Sequence, residues 1–396
     1  MLESPHILWV TERFPPLSGG MAESADRLVS GLRKRSYQVD VVHLVQSDGP
    51  VTCRGRPRDN GVDLVVTWRD SVGDAVQRAW LEVLLGHQVE EFDLLVGFGC
   101  NLPGHVAATW AAWLGLPSVV LVRGNDLDRD WFEVRRHSLV ESALGRATVV
   151  GAVTQEKVDK VRALFPGKVA RWTPNGLDEA FWRLLPADRE QAQDLRRGLA
   201  AGGRRVVAVV GDLKYKKRIP FWLEAVRDRG LKDRIALLVV GRMDRELNQI
   251  LEDPALAPRV HHLSFRTRER LPALYHACDF VAVPSLYDGF PNVLLEAMAC
   301  GVVPICSRAA AMGEVLLDGE TGFLFEPEDR EGAGEATWRA LELDDPALER
   351  MKKRVQTMVR RRFSRADELE RLEKLLRIAM ETRHDEHHRR EGHASS

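Results

Sequence analysis

Short runs of apolar residues alternate along the chain with longer stretches in which apolar positions recur every three or four residues. In the first half the runs are "HILWV" at 6–10, "VDVVHLV" at 39–45, "DLLVGFG" at 93–99 and "SVVLVRG" at 118–124, and "AESADRLVSGLRKR" at 22–35 has the helical spacing. The second half repeats the arrangement with "RVVAVVG" at 205–211, "IALLVVG" at 235–241, "DFVAVPS" at 279–285 and "VVPICS" at 302–307. Strand-length runs without internal polar alternation, separated by amphipathic helices, predict parallel sheets covered by helices on both faces. The expectation is an α/β protein of two doubly wound domains, with no short-period repeat. A turn, Pro186 and the pair Gly202-Gly203 precede the strand near Arg205. They place a first domain at 1–185, a linker at 186–203 and a second domain at 204–365. The amphipathic end "FSRADELERLEKLLRIAM" predicts a helix over 366–380 that packs across a domain surface, and the polar, His-rich residues 381–396 read as a disordered tail.

One stretch breaks the pattern. "SLYDGFPNVLLEAMACG", Ser285 to Gly301, opens as a turn and becomes an apolar helix that carries a single carboxylate, Glu296. Val293, Leu294, Leu295, Ala297, Met298 and Ala299 surround Glu296 on every side of such a helix, so the helix is buried. A carboxylate there costs several kcal/mol unless something pairs with it or binds it. Neighbouring backbone N–H groups would satisfy a purely structural Glu; a ligand would satisfy a functional one.

Composition narrows the candidates. A chain of 396 residues with 44% hydrophobic side chains suffices for two cores, and a formal net charge of −1 supplies no global basic field for nucleic acid. The five cysteines, Cys53, Cys100, Cys278, Cys300 and Cys306, lack CxxC or zinc-ligand spacing, which fits reduced intracellular thiols. No apolar stretch reaches the roughly 18 residues of a membrane span, and the N-terminal residues are unlike a secretory signal, so a cytoplasmic protein is expected.

Each half also opens with a strand, a glycine-bearing loop and a helix: "VTERFPPLSGGMAES" and "VVGDLKYKKRIPFW". Ligands of open α/β sheets bind outside the carboxyl ends of the strands, where these loops lie. Gly19 and Gly20 would admit a phosphate close to the backbone at a helix start. After Gly211, the cations Lys214, Lys216, Lys217 and Arg218 crowd together and repel unless they are solvated or neutralised. Asp288-Gly289 reads as a tight turn and Pro291 suits a first helical turn. Glycine loops, cations and a helix N-terminus together point to a diphosphate.

From "PPLSGG" through "RGND", "PNGLDEAF" and "GDLKYKK" to "YDGFPNVLLEAMACG" and "LLDGETGFLF", nearly the whole chain resembles the retaining glycosyltransferases of family 4. That family has the GT-B architecture, two facing Rossmann-like domains with a cleft between them. Its Glu, seven residues, Glu signature falls on Asp288 and Glu296. The resemblance implies that Glu296 accepts hydrogen bonds from the ribose of a nucleotide-sugar donor and that Lys217 and Lys214 hold its diphosphate. Gly19, Gly20 and Gly211 would lie close to the donor, Asp288 beside the transferred sugar, and the backbone of Gly289, Phe290, Pro291, Asn292 and Val293 against sugar and phosphates. Three positions depart from the family: Asp212 stands where many relatives have Arg, a charge that Lys214 would take over; Arg123 stands where a His before Gly-x-Asp is common; and Ala310-Ala311 stand in place of Gly-Gly.

The implied reaction moves a sugar from a nucleoside diphosphate sugar, UDP- or GDP-linked, to an acceptor hydroxyl with retained anomeric configuration. It implies no cofactor, no metal and no nucleic acid, with Lys217, Lys214, Asp288 and Arg123 at the reacting centre. Acceptor contacts would come from residues 54–60 and 126–136, and a lipid-linked acceptor would bring the protein to the inner membrane face. Two rivals share the donor pocket: a nucleotide-sugar epimerase and a non-catalytic partner subunit.

Overall fold

The structure, a computed structural model, describes residues 5–17, 19–49, 51–86, 91–253, 258–264, 267–309 and 311–394. The chain divides into two compact units, Met1–Asn175 with Glu368–Ser396, and Gly176–Asp367. In the first unit, chain order is β1 (His6–Thr11), α1 (Gly20–Lys34), β2 (Gln38–Gln46), β3 (Cys53–Arg58), β4 (Gly61–Trp68), α2 (Val72–Gly86), β5 (Leu94–Phe98), α3 (Leu102–Leu114), β6 (Ser118–Val122), α4 (Val134–Arg146), β7 (Val149–Ala152), α5 (Gln155–Leu164) and β8 (Val169–Trp172). The second unit runs α6 (Pro186–Leu199), β9 (Arg205–Leu213), α7 (Ile219–Asp228), β10 (Ile235–Met243), α8 (Arg245–Glu252), β11 (Arg259–Leu263), α9 (Leu271–His276), β12 (Phe280–Val283), α10 (Asn292–Ala299), β13 (Val303–Ser307), α11 (Ala311–Val315), β14 (Phe323–Phe325), α12 (Arg330–Leu341) and α13 (Asp345–Arg362). A last helix, α14 (Arg365–Ala394), returns the chain to the first unit.

The apolar runs form the strands as expected, because Val- and Leu-rich segments covered by helices on both faces leave no polar position to solvate. In the first unit an eight-stranded sheet has the order β3-β4-β2-β1-β5-β6-β7-β8, parallel except for β3, which pairs antiparallel to β4. The second unit has a six-stranded parallel sheet ordered β11-β10-β9-β12-β13-β14. Strand order reverses between β1 and β5 in one sheet and between β9 and β12 in the other. At each reversal the connections diverge to opposite faces and leave a crevice beyond the carboxyl ends of the strands. Among the described residues no helix is long and apolar enough to cross a membrane.

Several boundaries differ from those the sequence suggested. Residues 186–199, expected in a linker, form α6 within the second unit. Pro186 sits in its first turn, where a missing N–H costs nothing, Asp188 accepts the N–H of Leu185 at 3.4 Å, and Arg196 holds the buried Asp279 with two hydrogen bonds of 2.9 and 3.2 Å. The first unit therefore gives way to the second at 175/176 rather than 185, and the second extends to 367. The final helix is longer than 366–380: α14 continues to Ala394 through residues expected to be disordered. Its Leu369, Leu372, Leu375, Leu376 and Ala379 lie in the core formed by Ile7, Trp9, Leu28 and Leu121, which makes it part of the first unit. Residues 54–58 belong to the edge strand β3 rather than to a loop.

Candidate active site

The second unit brings most of the expected donor-binding residues to one crevice. β9 ends at Leu213 with Gly211 at φ +120°, a conformation that an L side chain rarely adopts, and a Cβ on Gly211 would touch Val293 Cγ2 at 3.9 Å. The end of β9 thus abuts the first turn of α10. The loops after β9 and β12 are stitched together by the N–H of Leu286, which donates to the Lys216 carbonyl at 2.9 Å. Ser307 Oγ donates to the Ser285 carbonyl at 2.5 Å and ties β13 to the same loop.

Each of the four crowded cations has a carboxylate. Lys217 Nζ lies 2.5 Å from Asp288 Oδ2, and Lys216 Nζ 3.8 Å from Asp288 Oδ1. Lys214, whose side chain is 69% exposed, pairs with Asp212 at 2.7 Å, and Arg218 pairs with Glu328 at 2.5 Å. Asp212, the residue that departs from the family pattern, is therefore the partner of the lysine expected to replace the missing arginine. Burial pushes the Asp288 carboxyl up, but the charges of Lys217 and Lys216 outweigh it and hold the group below the ordinary Asp value. Asp288 Oδ1 also accepts the Gly289 N–H at 3.0 Å. The residue is a turn former and a lysine partner at once.

Behind this turn, Phe290 packs edge-on against Phe363, ring centres 5.1 Å apart, and Pro291 is the N-cap of α10 rather than a residue of its first turn. Asn292 and Val293, half-buried, start the helix. Its aligned peptide dipoles present partial positive charge toward the turn. Glu296 is only 7% exposed, and Tyr275 Oη donates to its Oε2 at 3.2 Å. The tyrosine lies outside every motif. The only hint of it in the sequence is that a tyrosine in the apolar "LPALYHACDF" needs a polar partner when buried.

In the first unit, Gly19 has φ +120° and precedes α1, which begins at Gly20; a Cβ on Gly19 would meet nothing within 4 Å. Loops after β5 and β6 are joined by Asp126, whose carboxylate accepts the N–H groups of Cys100, Arg123 and Gly124 at 3.0, 3.1 and 3.0 Å. Burial raises its pKa, the backbone hydrogen bonds opposing. Asp130 takes Arg136 Nη1 at 3.0 Å and Asn101 Nδ2 at 3.0 Å, and burial raises Glu12 nearby against the pull of Arg13 and Arg136.

Arg123 does not present its charge as expected of a group at the reacting centre. It is 5% exposed, donates to the Thr173 carbonyl at 2.9 Å and to Asn175 Oδ1, and lies 3.7 Å from Glu368. Burial lowers its pKa to about 10, with Glu368 opposing. A guanidinium enclosed in this way braces the unit. Of the other departures, Ala311 opens α11 in a buried position and Ala310 lies outside the described residues.

Comparison with known proteins bears on the same regions. Residues 190–358 match the family model described as glycosyl transferases group 1, and residues 19–176 match the glycosyl transferase 4-like domain. The chain belongs to glycosyltransferase family 4. Among relatives of this family-4 chain, a D-inositol 3-phosphate glycosyltransferase of Actinosynnema mirum is 32% identical over 200 residues, 46% of each chain. The alpha-maltose-1-phosphate synthase of Mycolicibacterium smegmatis is 27% identical over 343 residues, 80% of this chain and 84% of that one. This chain spans less than half the length of the D-inositol 3-phosphate glycosyltransferases it matches. Anabaena HepE, solved with UDP and glucose, superposes with a TM-score of 0.74 at 21% identity, covering 94% of this chain and 99% of that one. Sucrose-phosphate synthase from Thermosynechococcus elongatus gives a TM-score of 0.75 at 18% identity, covering 94% and 98%. These neighbours establish the GT-B fold for the family-4 chain.

Proposed function

We propose that this protein transfers a sugar from a nucleoside diphosphate sugar to an acceptor hydroxyl with retention of the anomeric configuration and without a metal ion. The observation that carries the reading is the meeting of Lys217, Asp288 and the start of α10 at the strand-order reversal of the second unit, with Glu296 buried on the same helix. Family membership supports it, and so does the UDP found with Anabaena HepE.

In this reading Glu296 takes the ribose hydroxyls, while Lys217, Lys214 and the amides around Gly289 to Val293 face the diphosphate and the sugar. The bond from the anomeric carbon to the diphosphate oxygen breaks, and its electron pair stays on that oxygen. The acceptor oxygen bonds to the anomeric carbon from the face being vacated, and its proton passes to the departing diphosphate. Charge grows on the diphosphate as the bond lengthens, so fixed positive groups there stabilise the transition state more than the bound donor. Lys217 is prepared for this by Asp288, which holds the ammonium in place before a ligand arrives. No step calls for a divalent cation, because the lysines and the helix dipole neutralise the leaving group.

Two outcomes test the reading. The first-formed product, followed by proton NMR, is expected to have the anomeric configuration of the donor, and turnover is expected to persist in excess chelator. An inverted product, or activity lost to chelator and regained with magnesium, sinks the mechanism. Replacing Glu296 by Gln is expected to weaken nucleoside diphosphate binding by about 1–3 kcal/mol, measured by calorimetry, since a hydrogen bond to a charged group is lost. Unchanged affinity in the folded variant would leave Glu296 a structural carboxylate.

A further inference from the structure

Tyr275 is 1% exposed on α9, and its hydroxyl donates to Glu296 Oε2 at 3.2 Å. The ring is held from behind by Trp182, whose ring centre lies 5.9 Å away at an interplanar angle of 64°. Trp182 is itself fixed, fully buried, with its carbonyl accepting from Cys300 Sγ at 3.7 Å. Three segments therefore meet around Tyr275: the 176–185 segment through the Trp182 ring, α9 through Tyr275 itself, and α10 through Glu296, with Cys300 at its C-cap tied to the Trp182 carbonyl. A phenol buried beside a carboxylate keeps its proton, because burial and the Glu296 charge both drive its pKa well above the ordinary tyrosine value. Its hydroxyl therefore stays a donor to the carboxylate.

We propose that Tyr275 is a positioning residue that fixes the orientation of the Glu296 carboxylate for the vicinal hydroxyls of the donor's ribose. The proposal rests on the reading of Glu296 as the ribose-binding group and adds to it a means of orientation. A carboxylate in an apolar helix has several side-chain torsions and could turn away from the crevice. With Oε2 anchored by a phenol that cannot itself move past Trp182, the plane of the carboxylate is set before the nucleotide arrives. Recognition of a cis-diol depends on that plane, since both hydroxyls must meet acceptor lone pairs at hydrogen-bonding distance. Tyr275 does not touch the sugar or the diphosphate in this scheme; its effect passes through Glu296 and is confined to the ribose.

The test uses ligands that differ only in the ribose. Whichever of UDP, GDP and ADP binds the wild-type chain most tightly is compared by calorimetry with its 2′,3′-dideoxy form. The wild type is expected to prefer the ribonucleotide, and Tyr275→Phe, which keeps the ring and removes only the hydroxyl, is expected to weaken ribonucleotide binding about tenfold while leaving the dideoxy form unchanged. In a Tyr275→Phe, Glu296→Gln double variant the preference should fall no further than in Glu296→Gln alone, because the two side chains act as a unit. A Tyr275→Phe protein that keeps the full wild-type preference overturns the positioning role, as does equal weakening of both ligands, which marks the hydroxyl as serving the fold only. A wild type that binds both forms equally removes the ribose reading of Glu296 itself, a result distinct from the other two.

Discussion

Replacing Lys217 by alanine is expected to lower kcat by about 10²–10³-fold while changing the affinity for intact donor far less, the pattern of a group that acts on charge developing in the transition state. The structure gives this residue the best claim among the cations of its loop. Its ammonium is the one set 2.5 Å from Asp288 at the edge of α10, whereas Lys214 is mostly exposed and engaged by Asp212, and Arg218 is drawn off to Glu328. Lys216, at 3.8 Å from Asp288, is a poor substitute because its side chain meets the other carboxylate oxygen from farther away. Pre-steady-state measurement of the transfer step with saturating donor, paired with donor affinity by calorimetry, separates the two quantities. If affinity falls as much as the rate, or turnover at saturation is unchanged, Lys217 only binds the diphosphate.

The second large effect concerns the fold. Glu368→Ala is expected to cost the first unit about 3–5 kcal/mol, the loss typical when one member of a buried ionic cluster is removed and its partners stay behind. Glu368, buried at the start of the returning chain segment, takes Arg27 through two hydrogen bonds of 2.6 and 2.9 Å and lies 3.7 Å from Arg123. Both arginines are themselves buried, so neither regains its hydration when the carboxylate disappears. Hydrogen exchange at the central amides of β1 and β6 reads the first unit separately from the second. Protection equal to wild type in the variant would mean that Ser24, whose Oγ accepts from Arg27 Nη2 at 3.3 Å, and the Arg123 partners Thr173 and Asn175 satisfy the two guanidinium groups without the carboxylate.

The alternation of apolar runs and amphipathic stretches revealed the central strands of both sheets, because strands covered on both faces are mostly apolar, whereas the exposed, polar edge strands β3 and β11 left no such run. Glu296 was conspicuous for the same reason in reverse: a charge in such a run has to be explained. Pro186 and the Gly202-Gly203 pair misled, since a proline reads as a break in sequence yet opens α6 in three dimensions, and the glycines form the turn between α6 and β9 inside the second unit rather than join two domains. The assignments that escaped the sequence are those made by side-chain direction. Nothing local shows that Lys214 turns to Asp212, that the Arg123 guanidinium points into its own unit, or that Tyr275 reaches a carboxylate on another helix. The Arg123 and Tyr275 pairings join residues brought close only by the packed fold, and the Lys214 pairing is a choice among several nearby carboxylates that side-chain direction makes. Charge counts along the chain reveal the crowd of cations but not which carboxylate each one meets.

The division of the chain carries a consequence for biosynthesis. The second unit is one uninterrupted segment, 176–367, and has all its elements once that segment has left the ribosome, whereas the first lacks α14 until the residues that follow the second unit in sequence have been made. At about 5–20 residues per second, the earliest sheet waits on the order of tens of seconds for Leu369, Leu372, Leu375 and Leu376 to cover it. During that interval the apolar face destined for α14 is open to chaperones and to neighbouring nascent chains. The order of completion is thus the reverse of the order of synthesis: the unit made second is sealed first, and the first sheet becomes a finished domain only when α14 arrives.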